Sequence, residues 1–190
     1  MDSNILKEVL DIFSKTAIQV CEGQQWDMDF EMQKNVNLVD YMKMIEYKTA
    51  VLMAASLQIG AITAGASNKD QAHIYEFGLN MGIAFQIQDD LRDLYGDPKL
   101  VGKQVGGDII ANKNTLLMVI AKESANENQL KTLEKLSTQT DIETKIEGII
   151  ALFKTLKVQE KCHGFLQSNV GRCNRRRYYC RKKRVQTERH

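Results

Sequence analysis

The clearest chemical signal in the chain comes from four closely spaced polar residues, Gln86, Asp89, Asp90 and Asp93. Placed on a helix, they share an arc of about 100°. Like charges at i,i+3 and i,i+4 repel, so three carboxylates in one row gain from a cation between them. On the same construction Ile74, Phe77, Met81, Ala84, Leu91 and Tyr95 fall on the opposite side, as an apolar stripe meant for the core. Gly78 and Gly82 precede the carboxylates on the carboxylates' own side. A glycine inside a helix costs about 1 kcal/mol relative to alanine, so two of them predict close approach of another backbone or of a ligand. The segment that follows carries Gly102, Gly106 and Gly107, with Lys103 and Lys113. A lone run of aspartates reads as a solvated acidic face. Aspartates beside ammonium groups suit a Mg2+-bridged phosphate, because Mg2+ takes few carboxylates, several waters and phosphate oxygens. The lysines would neutralise the remaining phosphate charge.

The elements that must position these groups read as helices throughout. There is one proline, Pro98, in 190 residues, and 43% of the chain is hydrophobic. That balance, rich in Leu, Ile, Met, Ala, Lys, Glu and Gln, disfavours a sandwich, a barrel or a linker. Ile5, Leu6, Val9, Leu10, Phe13, Ala17 and Val20 recur at helical spacing and predict a helix over 3–21, ended by Gly23. A polar loop over 22–37 follows, and Asn37 is the expected N-cap of a helix starting near Leu38. Residues 41–64 are nearly continuous helix-formers. Asn68 is the expected cap of the longest element, 69–95, which Gly96 and Pro98 close. Residues 96–114 lack a periodic apolar pattern, and a connection of that length is functional or disordered. Further helices fit 115–122, 126–136 and 141–157, the last two preceded by the capping-box spacings Asn126…Gln129 and Thr140…Glu143. Neither a period-2 strand nor a fixed repeat is present, so the expected fold class is all-α.

The net charge of +2 conceals two compositions. Residues 162–190 hold nine Lys or Arg against Glu188, a balance of +8, which leaves −6 on the rest. Cys162, Cys173 and Cys180 also lie there, and only Cys21 lies elsewhere. The expected organisation is therefore 1–161 as one unit and 162–190 as a basic Cys/Arg-rich tail. No run of 18 apolar residues suggests a membrane span, and no signal-peptide pattern follows Met1, so the cytoplasm is the expected compartment.

The run from Gly82 through Phe85-Gln86, Asp89-Asp90, Asp93 and Gly96-Asp97-Pro98 continues through Gly102-Lys103, Gly107-Asp108-Ile109 and Asn112-Lys113-Asn114-Thr115. It resembles the second aspartate-rich motif of trans-polyprenyl (farnesyl- and geranylgeranyl-type) diphosphate synthases. Upstream, Gly23-Gln24…Asp27 and Lys48-Thr49 resemble two further signatures of that family, in the family's order. The resemblance covers roughly residues 1–160 and corresponds to the C-terminal half of such an enzyme. It implies an isoprenoid-synthase-type helical bundle with its N-terminal helices missing, homodimeric in the intact family. It also implies a Mg2+-dependent prenyltransferase of isoprenoid biosynthesis, joining an allylic diphosphate to isopentenyl diphosphate. Carried over by position, Asp89, Asp90 and Asp93 bind Mg2+. Lys48, Thr49 and Gln86 are catalytic and, with Lys103 and Lys113, hold the allylic diphosphate or its incipient cation. Asp27 stands behind these groups, and Asp108 supports the lysine loop. Metal ions and fixed lysines stabilise a leaving diphosphate in a water-poor site, and an apolar bundle shields the allylic cation. Lys48 also reads as an ordinary surface lysine, and Phe85 reads as core packing.

The chain departs from that family in two places. Asp89-Asp90 is its only Asp-Asp pair, and adjacent arginines occur only in the tail, so a first aspartate-rich motif and its paired arginines are absent. The expectation is a fragment with negligible turnover alone. In the tail, Arg175-Arg176-Arg177-Tyr178-Tyr179-Cys180-Arg181 reads as a basic arm for nucleic acid or an anionic membrane. A Cys/His metal site has poor spacing there. A frame-shifted or disordered end is the favoured reading, with no nucleic acid expected. The alternatives are a non-catalytic partner subunit of a full-length synthase, or a basic-tailed nucleic-acid-binding protein, which the −6 of residues 1–161 opposes.

Overall fold

The computed structural model describes residues 3–97 and 105–187, and for Asn4 and 176–187 the backbone alone. Among the described residues there are nine α-helices and no strand. They are α1 (Ser3–Met32), α2 (Leu38–Ile45), α3 (Val51–Thr63), α4 (Asn68–Tyr95), α5 (Gly107–Ile110), α6 (Leu116–Ser124), α7 (Glu127–Ser137), α8 (Ile142–Thr155) and α9 (Val158–Thr187). One π-helical turn, Glu46–Ala50, joins α2 to α3. The all-α class is as expected, and no described helix is long and apolar enough to cross a membrane.

Local capping chemistry sets most helix starts. Asn37 Oδ1 accepts from Asp40 N at 2.8 Å, and Thr115 Oγ1 from Met118 N. Asn126 and Gln129 form the reciprocal capping box, at 3.0 and 2.9 Å. Two caps shift by one residue. Ser67, not Asn68, caps α4, its hydroxyl accepting from Asp70 N. Asp141, not Thr140, caps α8, accepting from Thr144 N at 2.9 Å. In both cases two adjacent residues carry side-chain oxygens, and spacing alone does not decide which one caps. At 28 residues, α4 is also shorter than α1 and α9, with 30 each.

Gly23 does not end α1. The helix continues to Met32, which removes most of the expected polar loop. A Cβ at Gly23 would overlap Lys48 N and lie 2.8 Å from Tyr47 C. The glycine permits backbone-on-backbone contact inside a helix, and that contact offsets its low helix propensity. The apolar stripe of α1 also departs from expectation: Leu6, Leu10 and Phe13 are 44%, 52% and 60% exposed.

The residues group into two compact units. One holds the chain up to Trp26, Lys43–Gln86, and the chain from Gln167; the other holds Asp27–Met42 and Ile87–Leu166. In the first, the two glycines of α4 meet α3 and the π-helical turn before it. A Cβ at Gly78 would lie 2.7 Å from Ala54 Cα, and one at Gly82 would lie 2.5 Å from Ala50 Cα. This is the close backbone approach their cost implied. In the second, the buried side chains include Ile87, Leu91 and Leu94 of α4, Leu116 and Val119 of α6, Leu133 of α7, and Ile149 and Phe153 of α8. Asp90 is buried among this set, so the inward side of α4 here includes one of the three carboxylates. A single apolar arc was expected along α4, but its neighbours change along its length.

The compositional change at Cys162 coincides with no break in the backbone, because α9 runs through it. Cys162, Asn169 and Cys173 are buried, and Cys173 Sγ lies 3.6 Å from Phe77 O. The side chains of Arg176, Arg177, Tyr178, Tyr179, Cys180 and Arg181, which carried the nucleic-acid reading, lie outside the described residues. Lys103 lies outside them too.

Candidate functional site

Three aspartates at the end of α4 have three different environments. Asp89 is exposed. Asp90 is 6% exposed, and its Oδ2 accepts from Tyr41 Oη at 2.5 Å and from Leu116 N at 2.9 Å. Leu116 opens α6, so the carboxylate satisfies a backbone donor that a helix start leaves unpaired. Burial, reinforced by the Asp90 charge, pushes the Tyr41 hydroxyl well above the ordinary tyrosine range and keeps it a donor. Asp90 thus ties α2, α4 and α6 together.

Asp93 is half-buried and grips the glycine segment. Its Oδ2 accepts from Asp108 N at 3.0 Å, and its backbone carbonyl accepts from Gly106 N at 2.8 Å. Gly106 takes φ +75, a conformation that a residue with a Cβ resists. Asp108, on the one-turn helix α5, then holds Lys113 Nζ at 3.4 Å. The Asp108 charge is the main cause that raises the Lys113 ammonium above the usual lysine range, with smaller contributions from Asp27 and Glu31. Asp27, Asp93, Asp108 and Lys113, four residues singled out by sequence, are therefore electrostatically or directly connected.

Lys48 and Thr49 occupy the π-helical turn. Such turns widen a helix by one residue and often re-aim functional side chains. Thr49 Oγ1 donates to Gln86 Oε1 at 3.2 Å, which brings two further candidates together. Beside the turn, Trp26 stacks on Tyr47 with ring centroids 5.2 Å apart. Lys43 Nζ sits 4.1 Å above the Tyr47 ring and 2.9 Å from Glu46 Oε1. Sequence reasoning missed the π turn, this stack and the Tyr41 partner of Asp90. A period of 3.6 carries no sign of a single inserted residue, and Tyr41 looks like any other core aromatic. Phe85 is 54% exposed, so its reading as core packing is corrected.

Residues 2–153 match the family described as polyprenyl synthetase. The chain belongs to that family. It is 37% identical over 169 residues to a short chain isoprenyl diphosphate synthase of Methanothermobacter thermautotrophicus, covering 89% of this chain and 52% of that one. It is 38% identical over 139 residues to heptaprenyl diphosphate synthase component 2 of Bacillus subtilis, covering 73% and 40% respectively. The crystal structure of geranylgeranyl pyrophosphate synthetase from Pyrococcus horikoshii aligns at TM-score 0.86 and 32% identity, over 93% of this chain and 54% of that one. The chain spans about half the length of the curated relatives it matches.

As a polyprenyl synthetase family member, the chain places its aspartate-rich run at the C-terminal end of a long helix and its lysine-bearing segment directly after it. Among the described residues, no group of three or more His, Cys, Asp or Glu side chains is arranged to hold a metal unaided. The physical reason is visible at Asp90 and Asp93, whose carboxylates turn toward Tyr41, Leu116 and Asp108.

Proposed function

We propose that this chain carries one half of a Mg2+-dependent prenyltransferase, which condenses an allylic diphosphate with isopentenyl diphosphate and releases inorganic diphosphate. The observation that carries the reading is the series of contacts from Asp93 through Asp108 to Lys113. A helix-borne carboxylate fixes the glycine segment's backbone, and that segment's aspartate steadies a lysine ammonium. A fixed ammonium can meet charge developing on a leaving diphosphate without reorganising first.

The donor set fits Mg2+ shared with a substrate better than Mg2+ caged by protein. Asp89 offers one exposed carboxylate, and Mg2+ commonly completes its shell with waters and phosphate oxygens. Bound in this way, the ion would supply neutralising charge for the leaving group. In this reading Asp89 is the metal-facing carboxylate, while Asp90 and Asp93 hold the framework around it. Lys113 and Lys103 bind the diphosphate. Lys48, Thr49 and Gln86 are assigned to the allylic substrate, the Thr49 hydroxyl orienting the Gln86 amide.

Isothermal titration of the purified chain with inorganic diphosphate tests this. The expected result is binding that needs Mg2+ and weakens at least about tenfold in Asp89→Ala and in Lys113→Ala. A folded chain with no Mg2+-linked binding would refute the reading.

One observation favours a second reading, a partner subunit of a full-length synthase. The exposed row Leu6, Leu10 and Phe13 covers two turns of α1 and presents apolar area to a neighbour. One relative is itself named as a component. Light scattering on a mixture with a full-length homologue should show a mixed species, and its absence removes this reading.

A further inference from the structure

Helix α5 is a single turn, Gly107–Ile110. One turn is too short to repay its own nucleation, so contacts from elsewhere must hold it. At its start, the Asp93 carboxylate takes the Asp108 N–H. At its end, Lys145 Nζ donates to Ile110 O at 3.1 Å. Each charge meets the backbone group of opposite polarity. Lys145 belongs to α8 and is 5% exposed, which is unusual for an ammonium. Burial also lowers its pKa. The adjacent α8 residue, Ile146, closes on the other end: a Cβ at Gly106 would lie 3.2 Å from Ile146 Cδ1. Two consecutive residues of α8 therefore bracket α5.

We propose that Lys145 is a positioning residue for the lysine-bearing segment, holding α5, and through it Asp108 and Lys113, in the arrangement that receives a diphosphate. Its role at the ligand rests on the diphosphate reading above; its role at the segment rests on geometry alone. A buried ammonium is a poor source of stability, and methionine would fill the same volume without the desolvation cost. Methionine cannot donate to the Ile110 carbonyl. Lys145 therefore contributes order in α5 more than stability of the whole chain.

The test compares wild type, Lys145→Met and Lys145→Arg by amide hydrogen exchange and by titration with inorganic diphosphate and Mg2+. K145M is expected to keep a melting temperature close to wild type, to exchange faster over residues 106–113 and not in α7, and to bind about tenfold more weakly. K145R, which retains the donor, should restore most of both. Unchanged exchange over 106–113 in K145M overturns the proposal. So does faster exchange with undiminished binding. If wild type itself does not bind diphosphate, the functional reading falls, and the exchange comparison still decides whether Lys145 holds α5. If K145M does not fold, Lys145→Leu, which also lacks a donor, provides the same comparison.

Discussion

Replacing two adjacent aspartates should give opposite outcomes. Asp90 Oδ2 receives the Tyr41 hydroxyl and the Leu116 amide, both out of water. A hydrogen bond to a charged acceptor contributes roughly 1.5–3 kcal/mol, and its loss leaves a buried donor unsatisfied. Asp90→Ala removes two such bonds, so the expected destabilisation is about 3–5 kcal/mol. Tyr41→Phe removes one and leaves Leu116 paired, for about 1.5–3 kcal/mol. The two share a contact, so the double variant should fall short of the sum by about 1–2 kcal/mol. Asp89 is exposed, and Asp89→Ala should stay within about 0.5 kcal/mol of wild type while weakening Mg2+-linked diphosphate binding. Urea unfolding followed by far-UV circular dichroism measures all four, with constant slope as the check on two-state behaviour. A whole domain holds only about 5–15 kcal/mol, so Tyr41→Phe serves where Asp90→Ala does not fold. The reasoning is refuted if Asp89→Ala costs as much as Asp90→Ala, or if the Asp90 and Tyr41 effects simply add.

The helical glycines provide a second contrast. Gly82→Ala would press a methyl to 2.5 Å from Ala50 Cα and should destabilise by about 2–3 kcal/mol, whereas Gly60, with nothing within 4 Å, should tolerate alanine or gain up to about 1 kcal/mol; thermal melts separate the two. Burial pushes the Cys162 thiol from 9.0 up to about 12. Its folded pKa is raised, so between pH 9 and about 12 the unfolded chain ionises first, and folding loses up to about 4 kcal/mol as pH rises through that window. Cys162→Ala should flatten that part of the stability profile. At pH 8, iodoacetamide should label the exposed Cys21 and spare Cys162 in the folded chain, as read by peptide mapping.

Much of this molecule was legible one segment at a time. Helical periodicity placed α4 and most of α1, and polar residues just before the helical patterns marked the caps at Asn37 and Asn126, because both depend on neighbours along the chain. The motif run from Gly82 to Thr115 marked the family for the same reason: its residues are contiguous. Directions were another matter. The sequence put Asp89, Asp90 and Asp93 on one arc, yet one faces water, one faces Tyr41 and Leu116, and one faces α5. Those partners lie 49, 26 and 15 residues away, and helical spacing carries no information about them. Gly23 looked like a helix stop until the backbone of Lys48 supplied the reason for a glycine in mid-helix. Local sequence determined most of the helical segments and which chemistry they carry. Tertiary packing decided which carboxylates remain open to a ligand, because burial and hydrogen-bond partners are properties of the neighbours that folding brings.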